Sequence, residues 1–242
     1  MKTNRIITCL AMLAFIIAAS SFNAANHFQT DPIAGAWQME DGTNTFTWIF
    51  IDGYAVGSVY DKTNKRFVST SGGPYQLKDG QLTVHAEFNT QDSTKVGQQL
   101  VVPVTISNNE FVMNFSNHKL TYKRLDNGTG ALAGNWRISG RMQDGKIVES
   151  RPGPRKTLKL LSGTRFQWVA INPEVKGFYG TGGGTYTFTN GKYTENIEFF
   201  SRDNSRVGAS LTFDGKIEDG AWHHSGLSSR GEPLNEIWKR VK

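Results

Sequence analysis

The sequence predicts an all-β protein made of two antiparallel up-and-down β-barrels in tandem. Three observations carry this. The first is a repeat: Gly183 to Leu211 matches Gly72 to Leu100 at a constant shift of 111 positions without a gap. Eleven positions are identical, among them Gly72/Gly183, Gly73/Gly184, Tyr75/Tyr186, Glu87/Glu198 and Phe88/Phe199. The flanks match as well. Ile33-Ala-Gly-Ala-Trp37 pairs with Leu132-Ala-Gly-Asn-Trp136, and Tyr122-Lys-Arg-Leu125 with Trp238-Lys-Arg-Val241. The second observation is a run of about seven or eight short strand-like segments per copy, each bounded by turn residues. The third is that no stretch keeps a helical period for more than about two turns. A meander of that size closes into a barrel, which removes its edges.

Taken in order, residues 1–25 read as an export signal. Lys2 and Arg5 are its basic start, Ile6 to Ala19 its apolar run, and Ser20 to Ala25 supply small residues for cleavage. The apolar run falls short of the ~20 residues of a membrane span, so no span is expected once the signal is removed. Cys9, the single cysteine, lies within it. The mature chain then has no disulfide and no thiolate metal site. Without Lys2 and Arg5, 25 basic residues stand against 21 acidic ones, in runs no longer than two. That charge is too diffuse to indicate nucleic acid as a partner.

Copy one spans residues 32–125. Gly35-Ala-Trp37 opens its first strand, and Thr45–Ile51 pairs with Tyr54–Tyr60 across the Asp52-Gly53 turn. Asp61–Arg66 is a charged loop. Tyr75–Leu77 and Gln81–Phe88 flank Asp79-Gly80, and alternation puts Leu82, Val84, Ala86 and Phe88 on one face. Leu100–Ile106, Glu110–Phe115 and Lys119–Leu125 complete the copy. Asp126-Asn-Gly-Thr-Gly130 is the linker, with two glycines and no apolar residue.

Copy two spans residues 131–242 and has a longer first half. Trp136 to Tyr186 covers 50 positions where Trp37 to Tyr75 covers 38. The extra length falls around Gly140–Lys156, read as a loop containing Arg151-Pro-Gly-Pro-Arg155. Strands follow at Lys156–Leu161 and Arg165–Ile171, then a loop at Asn172–Gly182. Further strands are expected at Thr185–Thr189, Lys192–Phe200, Val207–Phe213, Lys216–Ser225 and Asn235–Val241, with turns at Asn190-Gly191 and Asp214-Gly215.

Gly-X-Trp on the first strand, the eight-strand meander and a late basic residue (Arg124, Arg240) resemble the lipocalin, or calycin, group of barrels. Copy two is similar to the lipocalin-like domains of uncharacterised secreted bacterial proteins. The motifs are Arg165-Phe-Gln-Trp168, Gly183-Gly-Thr-Tyr186, Tyr193-Thr-Glu195 and Glu236-Ile-Trp238-Lys-Arg240. Copy one departs from them, with Leu82-Thr-Val84 in place of Tyr193-Thr-Glu195. The resemblance implies that the first-strand Trp packs against the late-strand Arg across the closed end. It also implies a habit of binding small ligands, and no named activity.

Glu195 is the most informative residue. It shares a strand face with Tyr193, Ile197 and Phe199, the counterparts of Leu82, Ala86 and Phe88, and its own counterpart is Val84. A carboxylate on a buried face needs a partner or loses its charge, and Arg240 is the expected cation. Tyr193, Trp168, Tyr186, His223 (with His224 as its alternative), Glu236 and Arg240 complete the expected ligand-binding set. Glu87 and Glu198 fall on the opposite face, where surface pairs with Lys or Arg are expected. Glu195 and Glu198 therefore cannot be the paired acids of a glycosidase. His27, His85, His118, His223 and His224 form no His-X-His or His-Glu-X-X-His pattern, so no metal site is expected. The glycines 182–184 precede a strand rather than a helix, which indicates a turn or bulge and not a phosphate cradle.

The function that follows is a secreted or periplasmic binder of an apolar or amphipathic small molecule. It is expected to be non-catalytic and free of cofactors, with its site in the second barrel; the oligomeric state is left open. Two alternatives compete with it. One is an isomerase or hydrolase acting on a small metabolite or carbohydrate, with Glu195 as acid/base. The other is an interaction module with filled barrels. An open cavity holding Glu195 would separate the first two readings from the third.

Overall fold

A computed structural model of the chain describes residues 31–143, 145–228 and 230–241. The export signal read over residues 1–25, Cys9 and His27 lie outside the described residues. Barrel one is built from β1 (Gly35–Asp41), β2 (Asn44–Ile51), β3 (Tyr54–Asp61), β4 (Arg66–Lys78), β5 (Gln81–His85), β6 (Phe88–Asn89), β7 (Gln99–Ile106), β8 (Glu110–Asn114) and β9 (Lys119–Asp126). Barrel two contains β10 (Gly134–Gln143), β11 (Lys146–Glu149), β12 (Lys156–Leu161), β13 (Arg165–Asn172), β14 (Gly177–Thr189), β15 (Lys192–Phe200), β16 (Ser210–Glu218), β17 (Ala221–Leu227) and β18 (Pro233–Arg240). β6 is a two-residue pairing and β11 an appended arm. The eight remaining strands of each copy run up and down in sequence order. β1 pairs with β9 in the first barrel and β10 with β18 in the second, so both antiparallel barrels close.

The first strands anchor both barrels in the same way. Trp37 Nε1 donates to the Ile33 carbonyl at 2.8 Å, and Trp136 Nε1 donates to the Leu132 carbonyl at 2.8 Å. Arg124 lies 3.9 Å over the Trp37 ring and donates to the carbonyls of Ala34 and Pro32.

Three sequence expectations need correction. Asn172–Gly182 is mostly strand, because β14 begins at Gly177. The turn expected at Asp214-Gly215 lies instead at Asp219-Gly220, whose φ values are 51° and 73°. Gly215 is a mid-strand glycine, since a Cβ there would meet Phe188 at 3.1 Å and Trp222 Nε1 at 3.3 Å. Half of the Gly140–Lys156 loop is a strand pair, with β10 running on to Gln143 and returning as β11.

The glycine run sits inside β14 and carries a bulge. The register slips between Gly183 and Gly184, leaving Glu198 as the extra residue on β15. A Cβ on Gly184 would lie 2.0 Å from the Asn196 carbonyl oxygen, and one on Gly73 would lie 1.8 Å from that of His85. This close approach explains why both copies keep glycine there. Past a bulge the side-chain phase inverts. Phe199 and Phe88 thus leave the interior face expected for them. Phe199 packs outside against Tyr60 and Phe67, while Phe200 turns inward against Trp168.

The two barrels belong to one body and meet through their outer walls. Ile49, Ile51, Tyr54 and Val56 of barrel one pack with Leu158, Leu160, Val169 and Ile171 of barrel two. Strands β2, β3, β12 and β13 are therefore buried on both faces, which accounts for their near-continuous apolar runs. Polar ties cross the same wall. Glu87 accepts from Tyr54 of its own barrel and from Lys156 of the other. Glu198 is held by Arg165 of its own barrel and by Tyr60 and Lys62 of the other. Both acids lie outside their barrels as expected, but their cations bridge the two barrels. Gln167 Nε2 donates to Thr70 Oγ1 and to Thr181 Oγ1, both at 3.0 Å. The linker is also tied down. The Asp126 carboxylate accepts from the N–H groups of Gly128, Gly163 and Thr164 and from the hydroxyls of Ser162 and Thr164.

These carboxylates should make the fold acid-sensitive. Burial pushes the Glu198 carboxyl up, but Arg165, Lys62 and Tyr60 outweigh it and hold the pKa below the usual value. Burial likewise raises Asp126, and the hydrogen bonds from Gly163, Thr164, Gly128 and Ser162 bring it below the usual range. Their stabilisation is fully present above the unfolded carboxylate values, about 4. It is lost as pH falls through the lower folded values. Urea unfolding at a series of pH values should show stability dropping below about pH 4, and Glu198→Gln should make that drop shallower. An unchanged slope in the variant would contradict the assignment.

Candidate functional site

On β12 the side chains alternate between the two barrels. Leu158 and Leu160 join the wall between the barrels, so Thr157, Lys159 and Leu161 face into barrel two. Lys159 is 5% exposed, and its ammonium needs a partner inside. Glu195 supplies it from β15, with Oε1 2.8 Å from Lys159 Nζ. Tyr193 Oη donates to the same oxygen at 2.9 Å. The ammonium also sits 5.1–5.3 Å from the ring centroids of Tyr193, Trp222 and Trp238, within cation–π range.

A second polar pair stands on β17 and β18. His224 and Glu236 are direct cross-strand partners, with Nδ1 3.6 Å from Oε2, too long for a hydrogen bond. Burial, reinforced by Lys159, lowers the His224 pKa, so the imidazole is neutral at pH 7. Burial raises Glu236, but the polar ring edge of His224 beside it and the positive charges of Lys159 and Arg141 outweigh burial and hold it below the usual value, so it stays ionised. Arg141 Nη2 reaches Glu236 Oε1 at 3.3 Å from the exposed side. Both His224 nitrogens, Trp222 Nε1 and Trp238 Nε1 are buried without a hydrogen-bond partner among the described residues.

Lys159, Glu195, His224, Glu236 and Trp238 border a cavity of about 310 Å³ within barrel two. Phe166, Trp168, Phe200, Leu211 and Phe213 form its apolar wall; Lys159, Glu195, His224 and Glu236 form its polar one. Arg141 and Ser228 lie at its exposed rim. In barrel one a cavity lined by Thr47, Trp48, Gly57 and Tyr122 measures about 110 Å³.

Strand register allows the two interiors to be matched position by position. Glu195 corresponds to Val84 at the 111-residue shift. Lys159 pairs with Trp168, which corresponds to Gly57, whose own partner is Trp48. Trp238 corresponds to Tyr122. Their partners Trp222 and Phe111 correspond in turn, and two residues on His224 and Glu236 match Met113 and Leu120. The polar four of barrel two thus stand where barrel one has Trp48, Val84, Met113 and Leu120, all part of its apolar core or packed against it.

Of the expected site residues, Glu195, Trp168 and Glu236 line the cavity, and Tyr193 is buried behind Glu195. Three others lie elsewhere. Tyr186 Oη donates to the Ser162 carbonyl at 2.6 Å and is not among the lining residues. His223 points away, 4.0 Å from Glu218, because Trp222 and His224 share the inward face. Arg240 forms a forked pair with Asp52 of barrel one and does not reach Glu195. Lys159, the actual partner of Glu195, was missed. Its signal was a lysine set between Leu158 and Leu160, in phase with Leu161. Neither a model of a known protein family nor a curated protein matches the chain.

Proposed function

We propose that the chain is a secreted or periplasmic, lipocalin-like binder of an apolar or amphipathic small molecule, with barrel two as the binding barrel. One observation carries this reading. Four interior positions that are apolar in barrel one are Lys159, Glu195, His224 and Glu236 in barrel two. An ion pair taken out of water is a weak source of stability, and well-packed apolar residues of similar volume often serve as well or better. The same chain already fills a barrel with apolar residues, so stability alone does not explain the polar set. A cavity with an apolar wall and a few convergent polar groups is the usual form of a small-molecule site. Phe166, Trp168 and Phe200 would take the apolar body of the ligand. Neutral His224, with one donor and one acceptor nitrogen, and ionised Glu236 would orient its polar end.

A neutral fluorescent probe, N-phenyl-1-naphthylamine, tests this. It should bind saturably to the wild type and be displaced by molecules extracted from the protein purified from its own host. Leu211→Trp, which fills the cavity from its wall, should abolish binding without lowering the melting temperature. Equal binding to Leu211→Trp would refute the site.

A further inference from the structure

We propose that barrel two carries a second, outward-facing site that binds a phosphate-type oxyanion. β10 pairs with β12 only as far as Arg137; beyond that it pairs with β11. Between this arm, the loop following β11 and the end of β18 runs a groove of about 740 Å³. Seven basic side chains line it, against the single acid Glu149. Three of the seven are already matched: Arg141 by Glu236, Lys156 by Glu87 and Arg240 by Asp52. Arg137, Arg151, Arg155 and Lys239 have no carboxylate partner among the described residues, an excess of three positive charges once Glu149 is counted.

Two of these four cations are held in place. Arg137 Nη2 donates to the Gly153 carbonyl at 2.6 Å, fixing the Pro152–Pro154 segment as one wall. Arg155 lies 4.4 Å over the Tyr179 ring, which sets the plane of its guanidinium. Planar guanidiniums suit oxyanions because they offer parallel N–H donors. A lone carboxylate would neutralise only one of the three excess charges. A phosphate monoester, carrying about −1.5 to −2 at pH 7, matches them better. The groove belongs to barrel two alone, since in barrel one the short Gly42-Thr43 turn joins β1 to β2 with no arm. The groove adjoins the cavity, with Arg141 lining both, but none of its four unmatched cations lines the cavity.

Calorimetric titration with inorganic pyrophosphate at low salt tests a soluble source of the phosphate. Co-sedimentation with phosphatidate vesicles, whose headgroup is a phosphate monoester, against phosphatidylcholine controls, tests a lipid headgroup. Arg151 and Arg155 are exposed, so R151Q/R155Q should remain folded, losing at most the modest Arg155–Tyr179 stacking. It should weaken binding about tenfold or more, as expected for charge-assisted contacts. K119Q/K123Q removes the same charge from the exposed face of β9 in barrel one and should leave affinity unchanged. Saturable pyrophosphate binding, or sedimentation with phosphatidate and not phosphatidylcholine, supports the site if R151Q/R155Q diminishes it. Binding to neither probe, or binding that R151Q/R155Q weakens no more than K119Q/K123Q does, overturns it.

Discussion

Glu195→Val should destabilise the protein by about 3–5 kcal/mol, the usual penalty for removing one partner of a buried ion pair. The loss falls on Lys159, whose ammonium would keep the faces of Tyr193, Trp222 and Trp238 and the more distant charge of Glu236 within a 5%-exposed position. Aromatic faces offset part of a desolvated cation's penalty, by about 2 kcal/mol or more. The compensating change is already present in the chain, because barrel one folds around Val84 and Trp48 at these two places. Lys159→Met/Glu195→Val should therefore recover to within about 1 kcal/mol of the wild type, since apolar replacement of a buried pair is often neutral. Urea denaturation of the two single variants and the double variant gives the coupling directly. Additive losses in the double variant would show that the two side chains act separately and would remove the pair from the account.

Leu160→Asp should be at least as damaging, at more than about 4 kcal/mol. Leu160 is fully buried, but it packs in the wall between the barrels rather than inside either one. The change removes an apolar side chain from a close-packed site, worth about 2–5 kcal/mol on its own. It also leaves a carboxylate among Ile49, Val56 and Val169, where an uncompensated charge adds several kcal/mol more. Leu227→Asp, at a position 59% exposed, is the matched control and should stay within about 0.5 kcal/mol of the wild type. If both variants unfold at the same urea concentration, the wall between the barrels contributes nothing to stability.

The barrels were legible because repetition and alternation are one-dimensional signals. A shift of 111 positions survives in the text of the chain, and period-two burial placed Glu195 inside. The wrong face given to Phe88 and Phe199 has a definite cause. A bulge inserts one residue and inverts the phase, yet it leaves the apolar pattern looking continuous. The partner of Glu195 was hidden differently, because strand pairing, not spacing, brings Lys159 to it across 36 residues. His224 was recoverable from its phase with Trp222. The basic groove was not, because its cations come from separated segments with no run longer than two.

Gln167 donates equally to Thr70 and Thr181, two residues that the 111-residue shift superimposes. Tyr54 and Arg165 are superimposed in the same way, and each serves the conserved-in-both-copies glutamate of its own barrel. The wall between the barrels thus has the self-complementary form of a two-fold dimer, written within one chain. In a true homodimer every substitution arrives twice, so opening one interior opens both. Fusion removes that constraint. One half can keep a closed, apolar interior and act as a permanent stabilising partner, while the other accumulates ionisable groups that no lone small barrel would tolerate as easily.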